Sequence, residues 1–425
     1  MTNMNLNWAG FSKKTFEERL QLIKQFELLT PEHFQALEND YLLPIETANQ
    51  LTENVLGRFA LPFSIAPDFL INGVSYQVPF VTEEPSVVAA ASFAAKLIKH
   101  SGGFTSKILK RQMIGQVALY DIDQVEEAKQ AILANSDKLI AAANDAYPSI
   151  VKRGGGAREI RLEEKGDFLI FYLTVDTQEA MGANMVNTMM EALITDLESL
   201  SKGKSLMAIL SNYATESLVT ASCQVDIRFL SREKSEAQQL AKKMVLASQL
   251  AQVDSYRAAT HNKGIFNGID AVVMATGNDW RAIESGGHAY ASRNGSYQGL
   301  SHWEFDQEQE VLLGQLTLPM PIASKGGSIG LNPTVSIARD LLNQPDAKTL
   351  AQVIVSVGLA QNFAALKALT SSGIQAGHMK LHAKSLALLA GAKEEEVAPL
   401  VTSLLADKPM NLEKASQHLA ILRNA

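Results

Sequence analysis

The stretch AREIRLEEKGDFLIFYLTVD, residues 157–176, contains two strands and a tight turn, and this hairpin decides the fold of the middle of the chain. Residues 157–164 and 168–176 are short runs with the apolar, β-branched and aromatic residues that favour strands. Lys165-Gly166-Asp167 between them has the composition of a hairpin turn. The pattern predicts two antiparallel strands joined by a hairpin turn.

The segments on either side of this hairpin complete a known arrangement. A strand at 114–122 and an amphipathic helix at 124–144 precede it, and a helix at 181–201 and a strand at 206–210 follow it. The order β-α-β-β-α-β is the ferredoxin-like arrangement.

The ferredoxin-like unit is predicted to be inserted into a larger domain, because the sequence on either side needs a partner to complete its core. The earlier part contains a hairpin-type turn at 71–74 and an Ala-rich helix that Pro85 opens. The later part contains a strand at 218–229 and a long helix at 235–260 that leads to Lys263. We expect an α+β protein with three parts: a discontinuous large domain of mixed helices and sheet (1–107 and 212–377), the small ferredoxin-like domain (108–211) and a small helical C-terminal domain (378–425).

The composition excludes several classes of protein. A chain of 425 residues is too long for one ordinary core. The net charge of −7 argues against nucleic-acid binding, which needs an excess of cations. The single cysteine, Cys223, excludes an internal disulfide and fits a reducing compartment. We find no apolar run long enough to span a bilayer and no signal-peptide pattern at the start, so we expect a cytoplasmic protein that binds no membrane.

Lys263 is the first candidate for chemistry. It lies in HNKGIFNGID, residues 261–270, among glycines, asparagines and a carboxylate and next to an apolar run. A charged group in such surroundings is seldom left without a partner, so we do not expect a solvated surface lysine. A lysine that a nearby aspartate keeps charged is suited to stabilising a developing oxyanion.

Glu84 precedes Pro85-Ser86 at the mouth of the Ala-rich helix. It is either a functional carboxylate or an acidic residue that complements the positive end of the helix dipole. Glu83 competes with it for either role.

Two segments could bind an anion. Residues 180–187, AMGANMVN, begin a helix with a glycine and two asparagines, and the unpaired N–H groups of a helix N-terminus bind phosphate. They lack the spacing of a Rossmann turn. Lys152 and Arg153 stand beside three glycines. The alternatives, an ordinary capped helix and a simple loop, stay open on this evidence.

Two further residues are candidates. His378 follows a glycine-containing segment, and a histidine that titrates near neutrality is a natural proton donor. His382, four residues later, could pair with it on a metal, but no acidic or cysteine partner lies close by in the sequence, so we predict no metal site and a core role for His382. Arg257 could pair with a carboxylate or phosphate, or form a surface ion pair of little energetic value.

Six segments in order, spread from the N-terminal part to the tail, resemble one family. They are ENVLG at 53–57, EPS at 84–86, AMGAN at 180–184, HNKG at 261–264, GNDWR at 277–281 and GHM at 377–379. Together they resemble 3-hydroxy-3-methylglutaryl-coenzyme A (HMG-CoA) reductase, in the soluble class II form of bacteria.

The resemblance implies a four-electron reduction of HMG-CoA to mevalonate and free coenzyme A through a hemithioacetal and mevaldehyde. Lys263 matches the lysine that polarises the carbonyl oxygen, and Asp279 the aspartate tied to it. Glu84 matches the glutamate that supplies a proton to the aldehyde-level oxygen. His378 matches the histidine that protonates the departing thiolate.

The resemblance also implies binding residues. The substrate-side matches are Ser86, Arg257, Asn267 and Gln361. The cofactor-side matches are Met181, Gly182, Ala183, Asn184, Asn187 and Asn212. In this scheme the large domain binds HMG-CoA, the small domain binds NAD(P)H, and the C-terminal domain is a flap that closes over substrate.

Two positions depart from the pattern of the family. Glu179 replaces the usual aspartate before Ala180, which keeps the charge and lengthens the reach. Tyr147 occupies the place where NAD-using members carry an acidic residue, and Lys152 and Arg153 are close by. We therefore expect NADPH to be preferred over NADH, although Asp145 two residues away opposes this.

The resemblance further implies an obligate homodimer with the active site shared between subunits, and the mevalonate pathway of isoprenoid biosynthesis as its setting. The same enzyme run in the oxidative direction, for mevalonate breakdown, uses the same residues. Two other functions remain as alternatives: a Schiff-base aldolase or other acyl-CoA enzyme with Lys263 as nucleophile, and a catalytically silent acyl-CoA or nucleotide-binding protein.

Overall fold

The computed structural model describes residues 6–327, 329–371 and 375–424; the side chains of 375–378, 380 and 381 lie outside the description. Its strands are β1 (Phe63–Ile71), β2 (Val74–Val81), β3 (Phe104–Ile108), β4 (Met113–Tyr120), β5 (Gly156–Lys165), β6 (Phe168–Asp176), β7 (Lys204–Ser211), β8 (Leu218–Asp226), β9 (Ser301–Asp306) and β10 (Val311–Pro319).

The α-helices of the described ranges are α1 (Phe16–Gln25), α2 (Pro31–Glu38), α3 (Ile45–Leu51), α4 (Val87–His100), α5 (Val125–Ala134), α6 (Ser136–Ala146), α7 (Pro148–Val151), α8 (Ala183–Ala192), α9 (Ile194–Ser201), α10 (Lys234–Val253), α11 (Ser255–Ala275), α12 (Trp280–Ala291), α13 (Pro333–Leu341), α14 (Ala347–Thr370), α15 (Gln375–Leu389), α16 (Glu394–Ala406) and α17 (Leu412–Asn424).

A four-stranded sheet forms the middle of the chain, in the order β5-β6-β4-β7 with all neighbours antiparallel. This is the ferredoxin-like order, so the predicted arrangement is confirmed. Helices α5, α6, α8 and α9 cover one face and share a core with the strands. Gly115 on β4 lets α8 approach closely, because a Cβ there would lie 2.5 Å from the sulfur of Met190.

A six-stranded sheet is built from the segments on both sides of this unit, in the order β2-β1-β3-β8-β10-β9. The predicted hairpin turn between β1 and β2 is confirmed, with Asn72 and Gly73 at φ of 50° and 80°. Because β3 and β8 flank the four-stranded unit in sequence and pair with each other, the small sheet is an insertion in the large one. The predicted α+β fold class is therefore confirmed.

Helix α14 is the core helix of the large sheet region, where it packs on α4, α10, α11 and β8. By length and composition it could cross a membrane, so the expectation that no segment reaches that length is wrong for this helix. Its most apolar 18-residue stretch, however, is 83% buried inside the protein. The apolar character of α14 is therefore that of a helix packed in a protein core.

Three predicted helices break or end at positions across which the apolar periodicity of the sequence continues. The predicted helix 124–144 breaks at Asn135, and 181–201 breaks at Leu193. The predicted helix 235–260 ends at Val253, and Asp254 then caps α11 by accepting the N–H of Arg257 at 2.8 Å. Lys263 consequently lies inside α11 rather than in a segment after a helix.

Helix α4 also begins later than predicted. Its first residue is Val87 rather than Pro85, because Ser86 has the left-handed conformation with φ 75° and cannot continue a helix backwards.

The C-terminal helices α15, α16 and α17 pack on one another around a separate small core that includes Leu386, Leu400, Leu404 and Leu419. A helical C-terminal unit was predicted.

Candidate functional site

Lys263 and Asn267 project from the same side of α11, one turn apart, and both contact Glu84. Lys263 Nζ donates to Glu84 Oε2 at 2.5 Å, and Asn267 Nδ2 donates to Oε1 at 3.2 Å. The backbone N–H of Glu84 donates to Thr82 Oγ1 at 3.2 Å. Both carboxylate oxygens of Glu84 are thereby held by α11, and this favours Glu84 over Glu83 as the functional carboxylate.

The opposite side of α11 is fixed by a buried polar network. The Nε2 atom of His261 lies 2.7 Å from Ser301 Oγ and 3.1 Å from the amide nitrogen of Asn362 on α14. Trp303 Nε1 donates to Asn362 Oδ1 at 2.7 Å. Burial, with help from the charge of Arg257, lowers the pKa of His261 to about 3, so this ring stays neutral.

This network orients Lys263, because hydrogen bonds between buried side chains fix a helix more specifically than apolar contacts do. The second ring nitrogen of His261, Nδ1, is buried and has no partner among the described residues. Sequence reasoning did not assign a role to His261, Ser301 or Asn362. The available signal was the pair of polar residues, His261 and Asn262, directly before the lysine in an apolar helix.

The Lys263 side chain is 61% exposed and that of Glu84 is 39% exposed. The expectation that Lys263 is withdrawn from solvent is therefore not met within a single chain. An ion pair this exposed contributes little to folding stability. Its arrangement instead presents an ammonium group and a carboxylate side by side at the surface.

Asp279 is placed differently from the expectation. It caps α12, where Oδ1 accepts the N–H groups of Arg281 and Ala282 at 3.1 Å each, and its carboxylate lies 3.8 Å from the Arg281 guanidinium. Among the residues that the structure describes, no ion pair or hydrogen bond joins Asp279 to Lys263. The expected pair is not formed within one chain.

The geometry of the α11–α12 hairpin explains this separation. Helix α12 runs back along α11, since the ring of His288 lies 4.9 Å from that of Phe266 and Glu284 faces Asp270. Asp279 therefore lies at the turn, while Lys263 lies twelve residues before the end of α11, about 18 Å along the helix axis. No side-chain rotation closes such a distance.

Asp270 forms a carboxyl pair with Glu284 between these helices. Burial, together with the neighbouring Glu284, raises the pKa of Asp270 to about 8. The Oδ1 atom of Asp270 is buried and has no hydrogen-bond partner in the described part of the chain. Sequence reasoning noted Asp270 only as a neighbour of the lysine and did not predict its burial.

The remaining substrate-side candidates surround the same helix. Ser86 is the N-cap of α4, two residues after Glu84, and Arg257 lies in the first turn of α11 with its pKa lowered by burial. Gln361 on α14 is 6% exposed and packs against Gly268, and its Oε1 has no partner among the residues described. No direct hydrogen bond joins these three side chains to Glu84 within the described ranges.

The cofactor-side candidates line the start of α8. Gly182 has φ 89°, and a Cβ there would lie 2.5 Å from Cγ2 of Thr177, so the position accepts only glycine. Ala183 and Asn184 form the first turn of α8, and Met181 packs against the small core. The side chain of Asn187 has a structural role, because its Oδ1 accepts the N–H of Leu210 at 2.8 Å.

Other cofactor-side candidates lie around the loop before β5. Tyr147 packs on the small core, and Arg153 Nε donates to the carbonyl of Ser149 at 3.1 Å. Lys152 and Arg153 are exposed, and neither forms an ion pair with a residue that the structure describes. They remain free to meet an anion.

Glu179 and Asn212 lie where the two sheets meet. The carboxylate of Glu179 contacts Ser324 and Ala347 of the large sheet region rather than the start of α8. Asn212 directly follows β7, and its carbonyl packs against Gly286.

His378 belongs to α15, and its side chain is outside the described residues. No group of acidic, histidine or cysteine side chains suited to a metal occurs in the described parts.

A shallow pocket of about 580 Å³ lies on the outer face of the large sheet, where Ser222 and His302 line it. It contains none of the candidate residues, and the sheet separates it from α11, so this pocket is not part of the candidate site at Glu84 and Lys263.

Comparison with known proteins shows similarity to one family over most of the chain. The family model described as hydroxymethylglutaryl-coenzyme A reductase matches residues 15–383. The chain is 41% identical over 425 residues to the 3-hydroxy-3-methylglutaryl-coenzyme A reductase of Archaeoglobus fulgidus, covering 99% of this chain and 96% of that protein. It is 33% identical to a probable enzyme of the same name from Borreliella burgdorferi, over 89% of this chain and 86% of the other.

Solved structures show the same similarity. A 3-hydroxy-3-methylglutaryl-coenzyme A reductase from Streptococcus pneumoniae has 62% identity and a TM-score of 0.86, covering 98% of this chain and 100% of that one. A class II reductase from the same organism, bound to NADPH in open conformations, has 61% identity and a TM-score of 0.85, covering 86% of this chain and 100% of the other.

Proposed function

Because this chain belongs to the hydroxymethylglutaryl-coenzyme A reductase family, in its class II form, we propose that Glu84, Lys263 and Asn267 form the centre of its active site. The chain is an NAD(P)H-dependent oxidoreductase that reduces HMG-CoA to mevalonate and coenzyme A, a reaction of the mevalonate pathway. The observation that carries the assignment of the site is the contact of Lys263 and Asn267 with the two oxygens of Glu84.

Lys263 stabilises negative charge on the substrate oxygen. The nicotinamide cofactor supplies hydride, and hydride addition to a thioester carbonyl leaves an alkoxide. A fixed ammonium group beside that oxygen stabilises the alkoxide in the transition state, where such a donor is worth about 10²–10³ in rate. Lys263 performs this role for the thioester and again for the aldehyde.

Glu84 supplies a proton to the aldehyde-level oxygen. Its contact with Lys263 and Asn267 supports its position, because the carboxylate lies against the ammonium group that would face the same oxygen. As an ion-paired carboxylate, Glu84 must first take up the proton that it then donates. His378 protonates the departing coenzyme A thiolate; this role rests on the resemblance of Gly377-His378-Met379 to the family. A thiol with a pKa of about 8.5 leaves a thiolate basic enough to add back to the aldehyde, so an acid beside it favours release.

Asp279 reaches Lys263 from a second copy of the chain. The position of Asp279 at the far end of the α11–α12 hairpin supports an active site shared in a homodimer, as does the exposure of Lys263. The outer side of α10 is apolar, with Leu246, Leu250 and Val253 exposed at helical spacing, and such a stripe is typical of an interface.

The cofactor binds at the N-terminus of α8. The left-handed Gly182, the first N–H groups of the helix, which have no intrahelical acceptor, and the exposed cations Lys152 and Arg153 fit a dinucleotide phosphate. These cations and the absence of a carboxylate at Tyr147 support a preference for NADPH. Lys152 and Arg153 would contact the 2′-phosphate of NADPH.

The three predicted units divide the work. Residues 1–107 and 212–377 bind HMG-CoA, 108–211 bind the cofactor, and 378–425 close over the substrate. The enzyme works in the cytoplasm, which the single buried thiol of Cys223 supports, and in the direction of mevalonate synthesis.

A spectrophotometric assay tests the proposal. Purified protein is mixed with HMG-CoA and NADPH, and the loss of NADPH absorbance is compared with the release of free thiol and with the same reaction run with NADH. We expect two NADPH consumed per thiol released, and a higher kcat/KM with NADPH than with NADH. The same preparation with mevalonate, coenzyme A and oxidised cofactor measures the reverse direction, and a faster reverse reaction at equal saturation would overturn the proposed direction.

A further inference from the structure

Glu179 lies in the loop between β6 and α8, and its side chain reaches outside the four-stranded unit. Its carboxylate accepts the N–H of Ala347, the first residue of α14, at 2.8 Å and the hydroxyl of Ser324. Its backbone carbonyl accepts the N–H groups of Ser324 at 2.9 Å and Lys325 at 3.3 Å. A carboxylate at a helix N-terminus is stabilised by the unpaired N–H groups there. Glu179 therefore joins the loop before α8 to the core helix of the large sheet region.

Residues 323–324, which contact Glu179, also bind Asn278, the residue before Asp279. Ala323, next to Ser324, exchanges two hydrogen bonds with Asn278: its N–H donates to Oδ1 at 2.8 Å, and its carbonyl accepts from Nδ2 at 3.1 Å. Asn278 directly precedes Asp279, the N-cap of α12. Residues 323–324 are thus a common anchor for the loop before α8 and for the start of α12.

Arg111 lies beside the same loop with its guanidinium withdrawn from water. Its Nη2 lies 2.6 Å from the carbonyl of Ile322, 3.1 Å from that of Gln178 and 3.4 Å from that of Ala180. Its Nε and Nη1 are buried and have no partner among the described residues. Burial lowers the pKa of Arg111, and the charge of Glu179 is the strongest influence in the opposite direction. Glu179 therefore also compensates a buried cation.

We propose that Glu179 is a positioning residue for the cofactor: it acts through Ser324 and the N-terminus of α14 to hold the start of α8, and it does not touch the cofactor itself. The inference rests on the proposed function, in which the start of α8 binds the cofactor phosphate. The turn between Glu179 and α8 is rigid, since Gly182 packs against Thr177 without space for a side chain. A displacement at Glu179 is therefore transmitted to the first turn of α8.

A double-mutant cycle of Glu179→Ala and Ser324→Ala tests this inference. We expect Glu179→Ala to raise KM for NADPH about tenfold, the loss typical of a charge-assisted contact, and to leave KM for HMG-CoA within about twofold. Ser324→Ala should raise KM for NADPH in the same direction. The double variant should have a KM for NADPH no higher than that of Glu179→Ala, because both substitutions remove the same contact between Glu179 and Ser324. Glu179→Gln keeps an acceptor for the Ala347 N–H and should recover part of the loss.

Glu179→Ala could raise KM for NADPH by the same factor in the wild-type protein and in the Ser324→Ala variant, while Ser324→Ala alone leaves this KM unchanged. That result would show that Glu179 contacts the cofactor directly and would overturn the inference. Parallel rises in both KM values would do the same, since they indicate general loosening. The controls are Glu304→Ala and Ser222→Ala, matched changes on the outer face of the large sheet. Calorimetry measures NADPH binding to each variant without any turnover. It therefore distinguishes failure of this inference from failure of the proposed function.

Discussion

The Lys263 ammonium and the Glu84 carboxylate form an ion pair, 2.5 Å between Nζ and Oε2, although 179 residues separate them in sequence. In the proposed site, this pair places the ammonium group that stabilises an oxyanion beside the carboxylate that, once protonated, donates a proton. The substrate oxygen is proposed to lie between the two groups. Asn267 keeps the second oxygen of Glu84 from turning away.

Replacing Lys263 by alanine should abolish most turnover without unfolding the protein. We expect kcat to fall by at least about 10²–10³, because the charge developing on the substrate oxygen loses its partner. The free energy of unfolding should change by less than about 1 kcal/mol, since the ion pair is exposed. Steady-state kinetics and urea unfolding measure the two quantities. Lys242→Ala on α10 is the control, and a variant at position 263 that retains most of its kcat would refute the assignment.

Mixing Lys263→Ala with Asp279→Ala subunits should restore activity if Asp279 acts across a dimer interface. Each variant alone should be nearly inactive. In a mixed dimer one site carries both substitutions and the other carries neither, so random mixing should recover about a quarter of wild-type activity. Activity is measured after the two variants are unfolded and refolded together, and each variant refolded alone is the control. A mixture as inactive as its components would argue for a site built within one chain.

Asp270→Asn should stabilise the protein at alkaline pH. The pKa of Asp270 is about 8 in the folded chain against an ordinary value of 3.8, so the unfolded chain loses this proton first as pH rises. The sign follows from linkage: stability falls between about pH 4 and pH 8, and the asparagine variant escapes this fall. We expect a gain of about 1–3 kcal/mol at pH 8 and little difference at pH 4.

Urea unfolding at both pH values and at one protein concentration measures this effect, with exposed Asp123→Asn as the control. A gain that is equal at the two pH values would contradict the titration of Asp270 and indicate a change in packing instead.

His378→Gln should impair the first reduction more than the second. A glutamine cannot protonate the departing thiolate, so the reduction of HMG-CoA should slow by about 10²–10⁴, while the reduction of added mevaldehyde should change far less. The two reactions are followed separately by NADPH consumption. His382→Gln, one turn later on α15, is the matched control; the predicted core role of His382 is wrong, because its side chain is exposed. Equal losses on the two substrates would remove His378 from this step.

Local patterns were enough for the small sheet and for the membership of the family. The hairpin at 157–176 and its flanking strands appear as predicted, because turn residues and alternating apolar residues act over short distances. The family followed from six short motifs in order. Helix ends at Asn135, Leu193 and Asp254 were missed, because apolar periodicity continues across each break.

The sequence by itself determined the membership of the family and the ferredoxin-like insertion, and it supplied the candidate catalytic side chains and their order along the chain. Only the tertiary structure decided that Lys263 meets Glu84 while Asp279 stays at the far end of a helical hairpin, and that Asp270 is buried against Glu284. The physical reason is that strand and turn preferences are local. Which charges meet, and which lose their water, depends on how helices distant in sequence pack against one core.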